Sequence, residues 1–526
     1  MANFCCDQIS LGIELGSTRI KCCLITENGE LLATGIYEWE NRFEDGYWTY
    51  SLDEAIKGVG ECYLQAKHEW EKKTGLKLTI LASIGVSAMM HGLLALDKNN
   101  NLLVPFRTWR NNNAEEDSKE LSDLLGFHIP ARWSVAHLYY SAKRHESYLA
   151  SLSRITTLSS YIHQRLTGVS CIGPDDASGM FPLNEEANYD EDRITIVNAL
   201  LKSLGCNLNL KDLLPSIVMA GFEAGKLSEE GAKLLDKEGD LRPGIPFVAP
   251  EGDAATGMVS TNSIEEGEGN ISVGTSIFGS FVLDKKTDGW NEAIDVVNTP
   301  SGKCVAMIHC NNCTCGIDGF LNIVRGSLKA LGIEAKEKDL YQRLFETALS
   351  ADEDAGKLLV YNYLSGENIT NVASGAMALA YSEKGRLSVP NLMLSSFFGA
   401  FASFSLGMDL LREQALHIRK ITLHGGLFKT PVVAQRILSS ILGEKTETNS
   451  FASEGGAWGM ALLASYLRYS KDMSLSEYLK AKVFAKAERH EEAPDQRIAE
   501  QFKAFRKTYE RCLPLERRLG KELSTC

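Results

Sequence analysis

The sequence predicts an α/β protein built from two related domains, and three observations carry that expectation. The chain has 526 residues, too many for one ordinary hydrophobic core. The segment IELGSTRIKCCLI in the first half is echoed by ISVGTSIFGSFVL in the second, with Gly16 opposite Gly274 at a spacing of 274 − 16 = 258 residues. Each copy reads apolar run, glycine, two hydroxyl residues, apolar run. The first copy then continues through Asn28-Gly29 and the second through Asp288-Gly289, both two-residue hairpin signals. Two hairpins, each turning through glycine and hydroxyls, suit two related domains facing one nucleotide. Chance agreement between two common strand-turn patterns is the alternative.

Between the copies, residues 79–106 read as strand, turn, strand, with Asn99 to Asn101 as the hairpin. Helical periodicity runs over 116–125 and 139–155, and residues 183–240 look largely helical and charged. Pro243 and Pro246 close that stretch and place a domain boundary near residue 248, giving domains 1–248 and 249–526. Beyond it, helices are expected over 338–350, 391–416, 431–443, 455–470 and 496–511.

Composition narrows the function. A net charge of −13 argues against a nucleic-acid partner. No run approaches the roughly 18 to 20 consecutive apolar residues of a membrane span. The start, MANFCCDQISLGIELG, lacks a basic n-region, so it does not read as a signal peptide and a cytoplasmic protein is expected. The 13 cysteines form no secreted-domain pattern. The patch His309-Cys-Asn-Asn-Cys-Thr-Cys315 invites a zinc reading, but it lacks a second ligand pair and opens into an apolar helical pattern, which favours packing.

Glycine followed by hydroxyls is the raw material of a phosphate cradle, because glycine admits an oxyanion close to the backbone. Gly16, Ser17 and Thr18 form one such turn, Gly274, Thr275 and Ser276 the other. The usual nucleotide motifs, GxxxxGK[ST] and GxGxxG, are absent; Gly267-Glu-Gly269 has Ser272 where its third glycine should fall. A carboxylate, Glu14, sits just before the first turn, where alone it would repel phosphate.

Several stretches together resemble the FGGY carbohydrate kinases, with xylulokinase and ribulokinase as the nearest types. In the family's order, IELGSTRIK is similar to the first phosphate motif D-x-G-[ST]-[ST]-x-x-K, VSAMMHG to the sugar segment S-G-Q-M-H-G, and FRTWRNNN to the W-[NQ]-D region. Asp176-Ala-Ser-Gly179 resembles DA[AS]G, Pro250-Glu-Gly-Asp-Ala-Ala-Thr-Gly257 the G-G-G-D-x-x-x-G turn, and VGTS the second phosphate motif. YLSGE at 363–367 and LHGGLFKTP at 423–431 complete the series.

The resemblance implies a duplicated actin-like, ribonuclease-H-like ATPase fold, two domains with a cleft between them. It implies ATP and Mg²⁺ as cofactors and a small sugar as substrate; a homodimer stays open. Asp253 would be the general base that takes the proton of the attacking hydroxyl. Glu14, where the family has Asp, would face the metal directly or through water. Gly16, Ser17, Thr18 and Lys21 would bind phosphate from the first domain and Gly274, Thr275 and Ser276 from the second, with Gly425, Gly426 and Lys429 on the adenosine side. Met90, His91, Trp109, Arg110, Asn111 and Asp253 would contact the sugar.

The departures are informative. Met89 stands where the family has Gln, Arg110-Asn111 where it has Asn-Asp, His137 and Tyr140 where it has Lys and Trp, and Phe398 where it has an acid. Arg110 adds a positive fork suited to a carboxylate; turned outward, it would pair with Glu115, Glu116 or Asp117. The first reading predicts that D-xylulose is not the best substrate. The expected activity is xylulokinase-like transfer of the γ-phosphate to a ketopentose-like sugar. The alternatives are a kinase of another polyol or sugar acid, or a non-catalytic actin-like regulatory protein.

Overall fold

The computed structural model describes residues 6–285, 289–334, 336–414, 417–429, 432–451 and 455–524. The chain divides into two compact units. The first comprises Met1–Glu266, Lys285–Val305 and Glu454–Ala487, the second Gly267–Asp284, Ala306–Ser453 and Glu488–Cys526.

The first unit is organised on a sheet of β1 (Ser10–Leu15), β2 (Arg19–Ile25), β3 (Leu31–Glu38), β4 (Ser83–Ala88), β5 (Glu223–Lys226) and β6 (Pro246–Val248), in the order β5-β6-β4-β1-β2-β3. Strand β1 is antiparallel to β2 and parallel to β4, β4 is parallel to β6, and β6 is antiparallel to β5. The second unit carries β7 (Glu268–Val273), β8 (Ile277–Val282), β9 (Cys304–Cys310), β10 (Lys420–His424), β11 (Thr446–Asn449) and β12 (Arg489–Glu492), in the order β12-β11-β10-β7-β8-β9. Here β7 is antiparallel to β8 and parallel to β10, β10 is parallel to β11, and β11 is antiparallel to β12. Six strands correspond one to one, so the echo between Gly16 and Gly274 is the visible remnant of a duplication of the whole sheet.

Two kinds of residue make the first sheet's core. Strand β1 is apolar and buried along almost its whole length, as a strand covered on both faces must be. Glycines then let helices approach. Helix α1 (Leu52–Thr74) starts on a Ser51 cap, ends on a left-handed Gly75, and lies so close to β3 that a Cβ on Gly35 would stand 1.9 Å from the Cys62 carbonyl oxygen. Helix α2 (Asp253–Ser260) and helix α3 (Gly456–Tyr466) meet where a Cβ on Gly459 would lie 2.1 Å from the Thr256 carbonyl oxygen. A Cβ on Gly12 of β1 would be 2.1 Å from the Ala457 carbonyl oxygen, so α3 rests on the central strand.

Both early turns form as expected: Gly29 is left-handed (φ 81°), and Asp97 gathers the Asn99 and Asn101 N–H groups in the turn before residue 102. Asp288 lies outside the described residues. Other expectations need correction. The helix expected over 139–155 is Ser134–Lys143; it stops where His145 turns left-handed (φ 51°), and Arg154–Thr156 is a strand. Of 183–240, only Glu191–Ser203, Leu210–Leu213 and Glu229–Leu235 are helical, because left-handed Gly205, Gly221 and Gly225 interrupt the stretch. The last helix runs through Pro514 from Gln496 to Leu523, well beyond 511. Helix Val389–Glu413 is long and apolar enough to cross a membrane, yet 83% of its apolar window is buried in the protein, which makes it a core helix.

Candidate active site

In the first unit, the turn between β1 and β2 has its carbonyls tied inward. The Trp39 indole N–H donates to the Gly16 carbonyl (2.8 Å), the Tyr50 hydroxyl to that of Ser17 (2.7 Å), and the Trp39 backbone N–H to that of Thr18 (3.2 Å). Three successive carbonyl dipoles are thereby spent on protein donors, which favours an anion on the other side of the turn. Lys21 pairs with Glu14 across the β1–β2 ladder.

Glu14 points to the start of α3. A Cβ on Gly456 would fall 2.1 Å from its Oε1, and the Ala457 N–H hydrogen-bonds its carboxylate. Burial first, then the neighbouring negative charge of Asp253, raise its pKa, and Lys21 opposes both. Asp253 is the first residue of α2 and touches solvent, but the protein crowded around its carboxylate withdraws water and raises its pKa as well. Two carboxylates this near, each disfavoured as an anion, form a donor set that a hard divalent cation satisfies. Among the described residues no group of three His, Cys, Asp or Glu side chains is arranged to hold a metal, so a magnesium ion here would rest on one or two carboxylates, water and phosphate oxygens.

The Met90–His91 segment reaches the same carboxylate. The Met90 backbone N–H donates to Asp253 Oδ1 at 3.3 Å, and the Met90 side chain lies where a Cβ on Gly252 would be, 2.2 Å from its Cγ. His91 follows in a left-handed conformation (φ 71°), unusual for a non-glycine residue. Its ring is buried, 3.4 Å from the Gly179 carbonyl through Nδ1 and stacked 6.3 Å from Trp133. Burial, then the Arg132 cation, push its pKa down to about 3, so the imidazole is neutral.

Arg110 and Asn111 have different surroundings. The Arg110 guanidinium lies over the Trp48 ring, 3.9 Å from its centroid, while Glu115 pairs with Lys119 and Asp117 with Lys143 and Arg144. Asn111 is 3% exposed, and its amide is spent on backbone. Oδ1 accepts from Trp48 N–H (2.8 Å), and Nδ2 donates to the carbonyls of Trp48 (2.8 Å) and Thr108 (3.1 Å). Asn111 therefore holds the strand that carries Trp48. Trp109 is 39% exposed.

In the second unit, the Gly274–Ser276 turn repeats the inward tie. The Thr314 N–H donates to the Gly274 carbonyl (3.2 Å) and the Cys313 N–H to that of Thr275 (2.8 Å). This gives the cysteine patch its role, as the start of helix Cys315–Ala330 that braces the turn. Burial raises the Cys310, Cys313 and Cys315 thiols, which disfavours thiolates, and His309 stacks on Phe278 at 4.1 Å. Gly425 (φ 109°) packs beside the same turn, where a Cβ would lie 2.1 Å from the Val273 carbonyl oxygen; among the described residues nothing lies within 4 Å of a Cβ on Gly426. Lys429 ends the short helix Gly426–Lys429.

Sequence reasoning missed several groups near His91 and Asp253. Arg132 and His128 both pair with Asp295, and the Arg132 cation with the His128 hydrogen bond holds that buried carboxyl well below the usual range. Asp176 accepts from Thr157 (2.6 Å) and from Ser159, and burial lifts it to about 7. Asp175 and Glu251 are buried beside it. The DA[AS]G likeness pointed to this segment, but nothing in the sequence pairs Asp175 with Glu251.

A chain with two copies of one sheet, each with a glycine-hydroxyl turn, and a carboxylate held at a helix start by the Met90 N–H has the make-up of an actin-like phosphotransferase. The N-terminal domain model of the FGGY family of carbohydrate kinases matches residues 9–260 and the C-terminal domain model residues 269–468. A xylulose kinase of Klebsiella pneumoniae is 22% identical over 474 residues, covering 86% of this chain and 89% of that protein. The crystal structure of a "xyloylose kinase" from Brucella ovis superposes with a TM-score of 0.77 at 16% identity, covering 97% of this chain and 100% of that one. A gluconate kinase structure from Lactobacillus acidophilus gives 0.77 at 17% identity, with 98% and 99% covered. The chain belongs to the FGGY family of carbohydrate kinases. It is a sugar kinase, a phosphotransferase with the family's actin-like ATPase fold.

Proposed function

We propose that the chain transfers the γ-phosphate of ATP to a hydroxyl of a ketopentose-like sugar in the cytoplasm, with Asp253 as the general base. The observation that carries this reading is the Met90 N–H bond to Asp253 Oδ1, which ties the Met90–His91 segment to that carboxylate within one unit. Burial raises its pKa, which makes Asp253 a better proton acceptor than an ordinary carboxylate. Met90 gives the sugar an apolar floor, and neutral His91, whose Nδ1–H donates to the Gly179 carbonyl, accepts from a hydroxyl through Nε2. In the first unit the turn binds phosphate through the Gly16 backbone, Ser17 and Thr18, with Lys21 as a cation; in the second, the Gly274 backbone, Thr275 and Ser276 do so, with Gly425, Gly426 and Lys429 for the adenosine. Glu14 holds Mg²⁺, which when bound supplies neutralisation of the phosphate charge. The deciding experiment measures sugar-dependent ADP formation over ketopentoses, aldonates, alditols and tetruloses; a ketopentose should give the highest kcat/KM.

A second reading, a sugar acid as substrate, is favoured by Arg110, whose guanidinium is stacked on Trp48 beside exposed Trp109. An in-plane fork stabilised from one face is suited to a carboxylate. An aldonate ranked first in the same panel would select this reading, and Arg110→Gln would then lower its kcat/KM while sparing neutral sugars.

A further inference from the structure

The backbone that carries Asp253 is clamped by a reciprocal pair of carboxylates. Helix α2 begins at Asp253, and its cap position, Gly252, has no side chain to satisfy the first N–H groups. Asp175 does this from another segment: its Oδ2 accepts from the Ala255 N–H at 3.0 Å. Asp175 itself stands in the first turn of the short helix Pro174–Ser178, whose cap, Gly173, also lacks a side chain. There Glu251, two residues before Asp253, returns the contact: its Oε2 accepts from the Asp175 N–H at 3.2 Å, and the Pro250 carbonyl accepts from the Gly173 N–H at 2.8 Å. Each segment caps the other.

The two glycines are matched to the two acids. A Cβ on Gly173 would stand 2.1 Å from the Glu251 carboxyl carbon, and one on Gly252 would stand 2.5 Å from Asp175 Oδ2. Both acids are 1% exposed, and among the described residues Asp175 Oδ1 and Glu251 Oε1 have no hydrogen-bond partner. Burial first, then neighbouring carboxylates (Asp176 and Asp253 on Asp175, Asp175 and Asp176 on Glu251), raise both pKa values well above the ordinary range. Burying two acids is costly, and each spends an oxygen on a backbone N–H of the other segment, so a role in holding α2 accounts for them.

We propose that Asp175 and Glu251 are positioning residues for phosphoryl transfer, a reciprocal cap that fixes the first turn of α2 and with it the aim of Asp253. The inference rests on Asp253 being the base. What the clamp uses is the acceptor oxygen of each side chain, so an amide serves as well as an acid.

The test is a set of variants assayed with the best sugar of the panel, with kcat expressed per ATP-binding molecule. Asp175→Ala and Glu251→Ala should each lower kcat at least about tenfold with KM for sugar and ATP within about threefold, since a small misplacement of a reacting group costs rate rather than binding. Asp175→Asn and Glu251→Gln should keep kcat within about threefold, because the cap is retained. A folded alanine variant with wild-type kcat overturns the proposal, as does a matched rise in KM. Should the alanine variants not fold, the double variant Asp175→Asn with Glu251→Gln decides: retained kcat supports the clamp, and a loss above about tenfold refutes it. Asp253→Asn is assayed in parallel. If it keeps turnover, the base assignment fails; if it loses turnover while the alanine variants do not, only the clamp fails.

Discussion

Asn111→Asp, which restores the family's usual acid at this position, should destabilise the first unit. The wild-type amide donates from Nδ2 to two carbonyls, Trp48 at 2.8 Å and Thr108 at 3.1 Å, and accepts from the Trp48 N–H at 2.8 Å. An aspartate keeps the last bond but turns its second oxygen on two carbonyl oxygens. Two lost bonds at about 1 kcal/mol each, plus about 1–3 kcal/mol for acceptors left unpaired in a buried place, sum to about 3–5 kcal/mol. The sign with pH follows from the same geometry. The folded state disfavours the anion, so the pKa of the introduced acid lies above its unfolded value of about 3.9. The protonated acid can donate to the Trp48 carbonyl, so part of the stability is present below about pH 4 and is lost as pH rises through the folded pKa. Thermal unfolding of wild type, Asn111→Asp and Asn111→Ala at pH 5 and pH 8 reads this directly. The aspartate variant should melt lower at pH 8 than at pH 5, relative to wild type, and the alanine variant should show no such difference. An aspartate variant as stable as wild type at pH 8 would refute the assignment of Asn111 to the Trp48 backbone.

Other outcomes follow from the same structure. Glu14→Gln should raise the Mg²⁺ concentration needed for half-maximal turnover with little change in sugar KM, and Glu14→Asp should do so less; an unchanged Mg²⁺ titration in both would remove Glu14 from the metal. Gly456→Ala, whose methyl would meet Glu14 Oε1 at 2.1 Å, should shift the same titration upward without touching the turn itself. With its pKa pushed to about 3, His91 should stay neutral between pH 5 and 9, and an imidazole NMR signal titrating near 6.5 would contradict its burial. Lys67 is buried against Asp236, Glu238 and Asp240, and Lys67→Met should cost about 3–5 kcal/mol by stranding a buried charge, measured as the first unit's unfolding midpoint in urea.

The parts of the fold legible in the sequence were those written locally. A glycine with two hydroxyls after an apolar run marks a turn wherever it falls, so Gly16 and Gly274 exposed the duplication, and Asn28-Gly29 announced its hairpin. The strand around 83–88 and the long helices beyond 389 carried strong periodicity. Interactions between distant segments were not legible. The helix expected to reach Ile155 ends at Lys143, where Ser141 and Glu146 turn to serve the buried Arg107 guanidinium. Asn111 resembled a sugar ligand because its spacing from Trp109 fits a motif, while its amide is bound to backbone more than 60 residues earlier. The cysteine patch resembled a metal site by composition, but its backbone braces the Gly274 turn. Asp175 and Glu251 are 76 residues apart, and only the folded chain makes each the other's cap.

The most direct test of the account compares sugar-dependent ADP formation by wild type and Asp253→Asn, with ATP binding measured on the same samples. The amide is isosteric and keeps its oxygen for the Met90 N–H, but it cannot take a proton. The account predicts unchanged ATP affinity and a loss of turnover of about 10²–10⁴-fold. Turnover within a few-fold of wild type in a folded, ATP-binding variant would contradict it.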